Sequence, residues 1–372
     1  MGGSGLLTSE FILILLWIGA VAVLTRFIRF DHVEIIAGRR ETRYSWLFAF
    51  AVFFPVIWMA GHRGYIGDTG VYIRTFVEMP EDFNGFVGYL NPDAKDWAFF
   101  ALSCLIKVLF GDNPTRYFMI IAFLQGVILL SVFRKYSPDY LVSVFLFLAS
   151  ADYISWMFNG IRQFTAVTII LAGTGWMIRK KHIRVILLIL LASQFHKSAL
   201  LMIPIYLIAQ GKAWNVRTML FMALVILAVV YVQRFTNILD DLLAETQYSN
   251  VVSEYQSFHD DGTSPIRVLV YSVPALFAFI GRRKIIQVNN PLINLSTNMA
   301  LISAGLYIIS AFTSGIFLGR LPIFASIFGY ILLPWEIDYL YKDNSRIIVY
   351  FLMIIFYLLF YYYQMHMAWG LF

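Results

Sequence analysis

The chain is poor in charge. Asp, Glu, Lys and Arg make up 13% of its 372 residues, against about 25% in ordinary soluble domains, and this excludes a globular surface made for water. One cysteine, Cys104, rules out an internal disulfide and any cysteine-based metal site. The six histidines are scattered, with no His-Glu-x-x-His and no Asp-x-Asp pair, so no ligand set for a metal is expected. No segment of about 100 polar residues leaves room for a separate soluble domain. A signal peptide with a cleavage site is also missing. Nothing suggests a redox cofactor or nucleic acid.

What the chain has instead is apolar surface: 60% hydrophobic and 17% aromatic residues, spread along the whole length. The expectation is an all-α polytopic membrane protein. Residues 1–5 look like an expression linker, and 6–372 read as a single transmembrane domain. With about 20 apolar residues needed per crossing, twelve spans are expected at 10–27, 45–61, 117–133, 139–157, 162–178, 183–195, 198–211, 218–234, 266–281, 292–318, 320–341 and 346–364. Trp97 to Phe110 is too short and carries Lys107, so it is expected as a re-entrant or surface-lying helix. The short pair 183–195 and 198–211 reads better as a helical hairpin than as one tilted helix, because Phe195-His196-Lys197-Ser198 needs water or protein around it. Residues 238–243 have helical spacing and read as a short amphipathic piece on the membrane surface.

Charge sets the expected orientation. The turns 26–43, 134–135, 179–184, 212–217, 282–284 and 342–346 hold 18 of the 28 basic residues, and by the positive-inside rule they face the cytoplasm. The net charge of +6 records those turns before it implies an anionic partner. The loops 62–96 and 235–265 then lie outside. Asp68, Glu78, Glu81, Asp82, Asp93 and Asp96 of the first, with Asp240, Asp241, Glu245, Glu254, Asp260 and Asp261 of the second, give that side an acidic rim.

Several isolated polar groups share this outer side. In Gly61-His62-Arg63-Gly64-Tyr65-Ile66-Gly67-Asp68 the glycines permit tight turning, and Arg63 with Asp68 makes either a ligand loop or an ordinary solvated ion pair. Arg162, in Asn159-Gly160-Ile161-Arg162-Gln163, opens a span beside the polar Asp152 and Asn159. Either it snorkels to headgroups, or it holds an anion together with the helix N-terminus and its dipole. His196, Lys197 and Ser198 combine a proton-transfer group, a cation and a hydroxyl, or form an interfacial turn. Ser–His nucleophilic chemistry is disfavoured, since neighbours on a helix point apart. Arg320, in Leu318-Gly319-Arg320-Leu321-Pro322, begins a span as Arg162 does, with the same two readings. These groups are expected to converge on one site.

In order and spacing, Arg63…Asp68-Thr69…Tyr72, Asn159-Gly160-Ile161-Arg162-Gln163, Phe195-His196-Lys197-Ser198-Ala199-Leu200 and Gly319-Arg320 resemble the EpsG family of Wzy-like exopolysaccharide polymerases, over about residues 45–335. The resemblance implies polymerisation of polyprenyl-pyrophosphate-linked oligosaccharide repeat units at the outer face of a bacterial cytoplasmic membrane. It also implies a GT-C-like helical scaffold, no metal or cofactor, and a flippase and a chain-length regulator as candidate partners. Arg63, Arg162, Lys197 and Arg320 would neutralise the pyrophosphate, and Asp68 or His196 would act as base, with Asp68 favoured and His196 placed on the pyrophosphate. Tyr72, Asp152, Asn159, Gln163 and Ser198 would support them. The rival classes are a polysaccharide flippase, a ligase or acyltransferase making a single transfer, and a purely structural membrane subunit.

Overall fold

The computed structural model describes residues 4–36, 39–243 and 262–371. Of the described residues 77% are helical, as the apolar runs require. Among the described residues the only sheet is the antiparallel hairpin Asp31–Ile36 with Arg39–Tyr44. All twelve apolar stretches contain helix, yet among the described residues only Pro114–Tyr136, Pro291–Ala311 and Asp343–Ala368 are long and apolar enough to cross a bilayer unbroken. Four bent helix pairs raise that number to as many as seven.

The breaks are local. The stretch 139–157 divides into Tyr140–Ala149 and a π-helical turn, Tyr153–Asn159, bent by 73°, because Ala151 takes a left-handed conformation with φ 59°. The stretch 218–234 ends at Val230, where the chain bends by 106° into Val232–Leu243. That second helix contains the expected amphipathic piece. The stretch 292–318 stops at Ala311, and 320–341 divides at a 53° bend. A single helix through 183–211 does not form: His182–Phe195 ends at His196, which is extended. Trp97–Phe110 is helical over the residues expected. The loop 62–96 holds two helices that were not expected, Thr69–Val77 and Phe83–Tyr89. Of the acidic rim, Glu245, Glu254, Asp260 and Asp261 lie outside the described residues.

The chain forms two compact units. The first comprises 1–176, 181–200 and 352–372. Helices Trp46–Gly61 and Pro114–Tyr136 pack closely in it: a Cβ on Gly61 would lie 2.9 Å from the Met119 Cα. The Tyr361 hydroxyl bonds the Phe11 carbonyl at 2.9 Å and the Tyr153 hydroxyl at 2.6 Å, so these buried phenols remain satisfied. The expected basic turn 26–43 is largely the β-hairpin. Arg134 anchors it, with Nε donating to the Tyr44 carbonyl at 2.6 Å, an ion pair to Glu34, and the guanidinium 4.2 Å over the Trp46 ring. The hydrogen bond from Arg134 holds the Glu34 carboxyl below its ordinary range.

The second unit comprises 177–180 and 201–351. Alanines 275, 278, 300 and 304 form part of its core, and such small side chains let helix backbones approach. Asn298, fully buried, donates to the Ala209 and Lys212 carbonyls at 2.9 and 3.0 Å and accepts from the Trp214 N–H at 3.0 Å. It thereby fixes the basic turn 209–214.

Lys107 shows how the apolar helix Trp97–Phe110 accommodates a charge. It is 1% exposed, and its Nζ donates to the Val77 and Met79 carbonyls at 2.6 and 2.8 Å, with Glu81 and Asp112 each at 3.5 Å. The ammonium thus caps the C-terminus of Thr69–Val77, where carbonyls lack partners and the dipole favours a cation. Lys107→Met keeps the stem and orphans two carbonyls, each worth about 1–3 kcal/mol. The expected result is a melting temperature several degrees lower in detergent. An unchanged value would mean that water replaces the ammonium at both carbonyls.

Candidate active site

The π-helical turn Tyr153–Asn159 and the loop after Trp46–Gly61 meet in the first unit. Tyr153, Trp156, Met157 and Phe158 are buried, so the turn is held by its apolar side chains and presents Asn159 at its end. The Asn159 Oδ1 accepts from the Asp68 N–H at 2.9 Å. Gly67, just before, has φ +54°, and a Cβ there would overlap the Asn159 amide. Gly67 is therefore required twice, for its backbone conformation and for the close approach. The Asp68 carboxylate makes no capping bond to the helix it precedes, and the residue is exposed.

Arg63 is already engaged within the protein. Its Nε donates to the Ala60 carbonyl at 2.6 Å and Nη1 to the Phe158 carbonyl at 2.9 Å, and the guanidinium lies 4.2 Å from the Phe118 ring centre and 5.1 Å from that of Phe158. Only the buried Nη2 finds no acceptor. Burial lowers its pKa to about 9. Arg63 therefore ties the 62–68 loop to the π-turn and leaves one nitrogen without a partner.

Arg162 is the second residue of Ile161–Ala172, whose N-cap, Gly160, offers no side-chain cap. Gln125 fixes this helix start from inside, donating from Nε2 to the Ile161 carbonyl at 3.1 Å and to Thr165 Oγ1 at 2.9 Å. The Arg162 side chain is 32% exposed and pairs with Asp96 at 2.9 Å, while its guanidinium lies 5.6 Å from the Phe100 ring centre. The Tyr72 hydroxyl lies close enough to Arg162 to feel its charge. Burial raises the Tyr72 pKa, against the pull of Arg162.

Asp96 is the residue that sequence reasoning missed, having counted it as rim charge. Its side chain is fully buried and its backbone is left-handed, φ 55°. The carboxylate reaches Arg162 through Oδ2 and the Lys197 N–H through Oδ1 at 3.3 Å. Nearby, Trp97 Nε1 donates to Gln194 Oε1 at 2.9 Å, which secures the end of His182–Phe195 against Trp97–Phe110. The available signal was an aspartate heading an apolar helix, which reads as a cap; here the side chain makes no capping bond. His196 and Ser198 also meet, Nδ1 to Oγ at 2.7 Å. Helical spacing had argued against such a pair, but the helix has already ended at His196, with φ −159° and ψ 122°.

The first unit therefore holds two groups of contacts, Arg63–Phe158 with Asp68–Asn159 and Arg162–Asp96–Lys197 with His196–Ser198 beside it, joined along the chain between Asn159 and Arg162; Tyr72 lies near Arg162. Lys197 is exposed. Asp152 and Gln163 are buried, 2% and 5% exposed, behind the set. Arg320 belongs to the second unit, exposed at the end of the turn Leu318–Arg320. Among the described residues no three His, Cys, Asp or Glu side chains are grouped to hold a metal ion.

A nearly all-helical chain, with helices long and apolar enough to cross a bilayer, is a helical membrane protein. Residues 46–369 match the EpsG family, and the chain belongs to it. This is the Wzy-like polymerase family, which makes a polysaccharide polymerase-type activity the coarse assignment. No curated protein and no solved structure matches the chain.

Proposed function

We propose that the protein joins polyprenyl-pyrophosphate-linked oligosaccharide repeat units at the outer face of the cytoplasmic membrane. The observation that carries this reading is Arg162: a partly exposed guanidinium at an uncapped helix N-terminus, paired with buried Asp96 on a helix start that Gln125 fixes. The acceptor hydroxyl oxygen attacks the anomeric carbon of the donor sugar. A new glycosidic bond forms, and the bond to the pyrophosphate breaks, its electron pair leaving with the phosphate oxygen. Negative charge grows on the leaving group, so Arg162, with Lys197 and the spare nitrogen of Arg63, stabilises the transition state more than the ground state. Asp68 takes the acceptor proton, and His196 lies on the pyrophosphate side.

Two further features support the reading. A groove of about 550 Å³ in the first unit is lined by Leu13, Leu16, Trp17, Pro55 and Trp58, and has His62 and Glu10 as its polar residues. It adjoins Arg63 through His62 and suits the isoprenoid chain of the donor. In the second unit the basic turn 282–284 reaches the turn 212–217 and the helix end before 342–346: Arg282 lies 5.3 Å over the Trp214 ring, and Lys284 Nζ donates to the Leu340 carbonyl at 3.1 Å. Clustered basic turns at one end suit a common cytoplasmic side.

The test is incubation of the purified full chain with a lipid-linked repeat unit. A product ladder is expected, with fewer and shorter rungs for Lys197→Ala. One shifted band would instead indicate a single-transfer enzyme, and unchanged substrate a transporter or scaffold.

A further inference from the structure

The second unit has a cavity of about 290 Å³ that the proposed reaction does not use, lined in part by Lys180, Gln210, Lys212, Asn289 and Asn294. It brings Lys180 and Lys212 together from different parts of the sequence. Lys180 and Asn289 are both left-handed, with φ 54° and 46°, so the backbone turns sharply on either side of the space. Asn294 is 5% exposed; its Nδ2 donates to Asn289 Oδ1 at 2.9 Å, and its Oδ1 has no donor. A buried acceptor without a donor asks for one from a ligand. The start of the helix Pro291–Ala311 does not offer its first amides, because Asn290 Oδ1 already caps the Leu292 and Ile293 N–H groups at 2.9 and 3.3 Å. Positive charge at the cavity comes from Lys180 and Lys212, both exposed.

A second cavity of about 440 Å³ shares Lys212, Asn289 and Asn294 with the first and is walled by Trp214, Val216 and Ile286. A small cationic chamber carrying one unsatisfied acceptor thus opens beside a more apolar one. At about 300 Å³ the polar chamber is at the low end for small-ligand sites, room for a headgroup and not for an oligosaccharide. We propose that this pair of cavities binds an anionic phospholipid whose headgroup carries hydroxyl donors. The phosphate would pair with Lys180 and Lys212, a headgroup hydroxyl would donate to Asn294 Oδ1, and the start of an acyl chain would lie along Trp214 and Ile286. Free phosphate shares the lysine chemistry but leaves the apolar chamber empty.

The experiment is native mass spectrometry of the full chain in detergent, titrated with phosphatidylglycerol, phosphatidylcholine or inorganic phosphate. Phosphatidylglycerol should be retained in preference to phosphatidylcholine. Lys180→Ala with Lys212→Ala should weaken its retention roughly 25-fold, on the order of fivefold per lysine near a membrane surface. Lys342→Ala with Arg346→Ala removes the same charge from a turn outside both cavities and should leave retention unchanged. Equal retention of the two lipids, or an equal loss in the control variant, would overturn the site. Displacement of phosphatidylglycerol by inorganic phosphate would overturn the lipid as its occupant.

Discussion

Arg162→Ala is expected to abolish polymer and to leave single lipid-linked units in the membrane. Removing one preorganised donor from a developing oxyanion typically costs about 10²–10³ in rate, and the same change here removes a full cation. The variant has a structural cost as well, because the fully buried Asp96 carboxylate is left with the Lys197 N–H at 3.3 Å. Orphaning a buried charge costs about 3–5 kcal/mol, less here because Arg162 is 32% exposed and screened by solvent. Two companion variants separate the effects. Arg162→Lys keeps a charge for Asp96 but loses the planar fork that grips two phosphate oxygens, so short or sparse polymer is expected. Asp96→Asn combined with Arg162→Gln replaces the ion pair by a neutral one and should melt close to wild type while making no polymer. Polymer of normal length from either alanine or glutamine variant would remove Arg162 from the mechanism.

Gly67→Ala is the second large effect, and it acts without touching a charge. A left-handed alanine costs about 1–2 kcal/mol, and its methyl overlaps the Asn159 amide. Asn159 must then rotate and give up the 2.9 Å bond from the Asp68 N–H, worth roughly another 1 kcal/mol. The protein is expected to remain folded with a lower melting temperature and at least tenfold less polymer, because Asp68 loses its register with the π-turn. Adding Asn159→Ala removes the overlap and should restore part of the stability but none of the activity. Full activity in Gly67→Ala would mean that this register does not matter to turnover.

These variants mark where sequence reading reached and where it stopped. The motif around Arg162 was legible because an arginine beside a long apolar run has few places to go, and the helix does begin at Ile161. Arg63 was legible as a cation but not as a staple, since its acceptors are the carbonyls of Ala60 and of Phe158, 95 positions away. The hairpin Asp31–Tyr44 was hidden in a basic turn, because its anchor, Arg134, comes from another helix. Asp96 looked like five other carboxylates of the same loop until Arg162 was found 2.9 Å away.

By itself the sequence determined the class of protein, the positions of its helical stretches and its family likeness, because apolar run length and the spacing of short motifs are properties of neighbours along the chain. Tertiary structure alone decided which helices break, which carboxylate holds Arg162 and which arginine is already occupied. Charges buried in an apolar protein must find partners within hydrogen-bond reach, and those partners are brought by packing from distant parts of the chain.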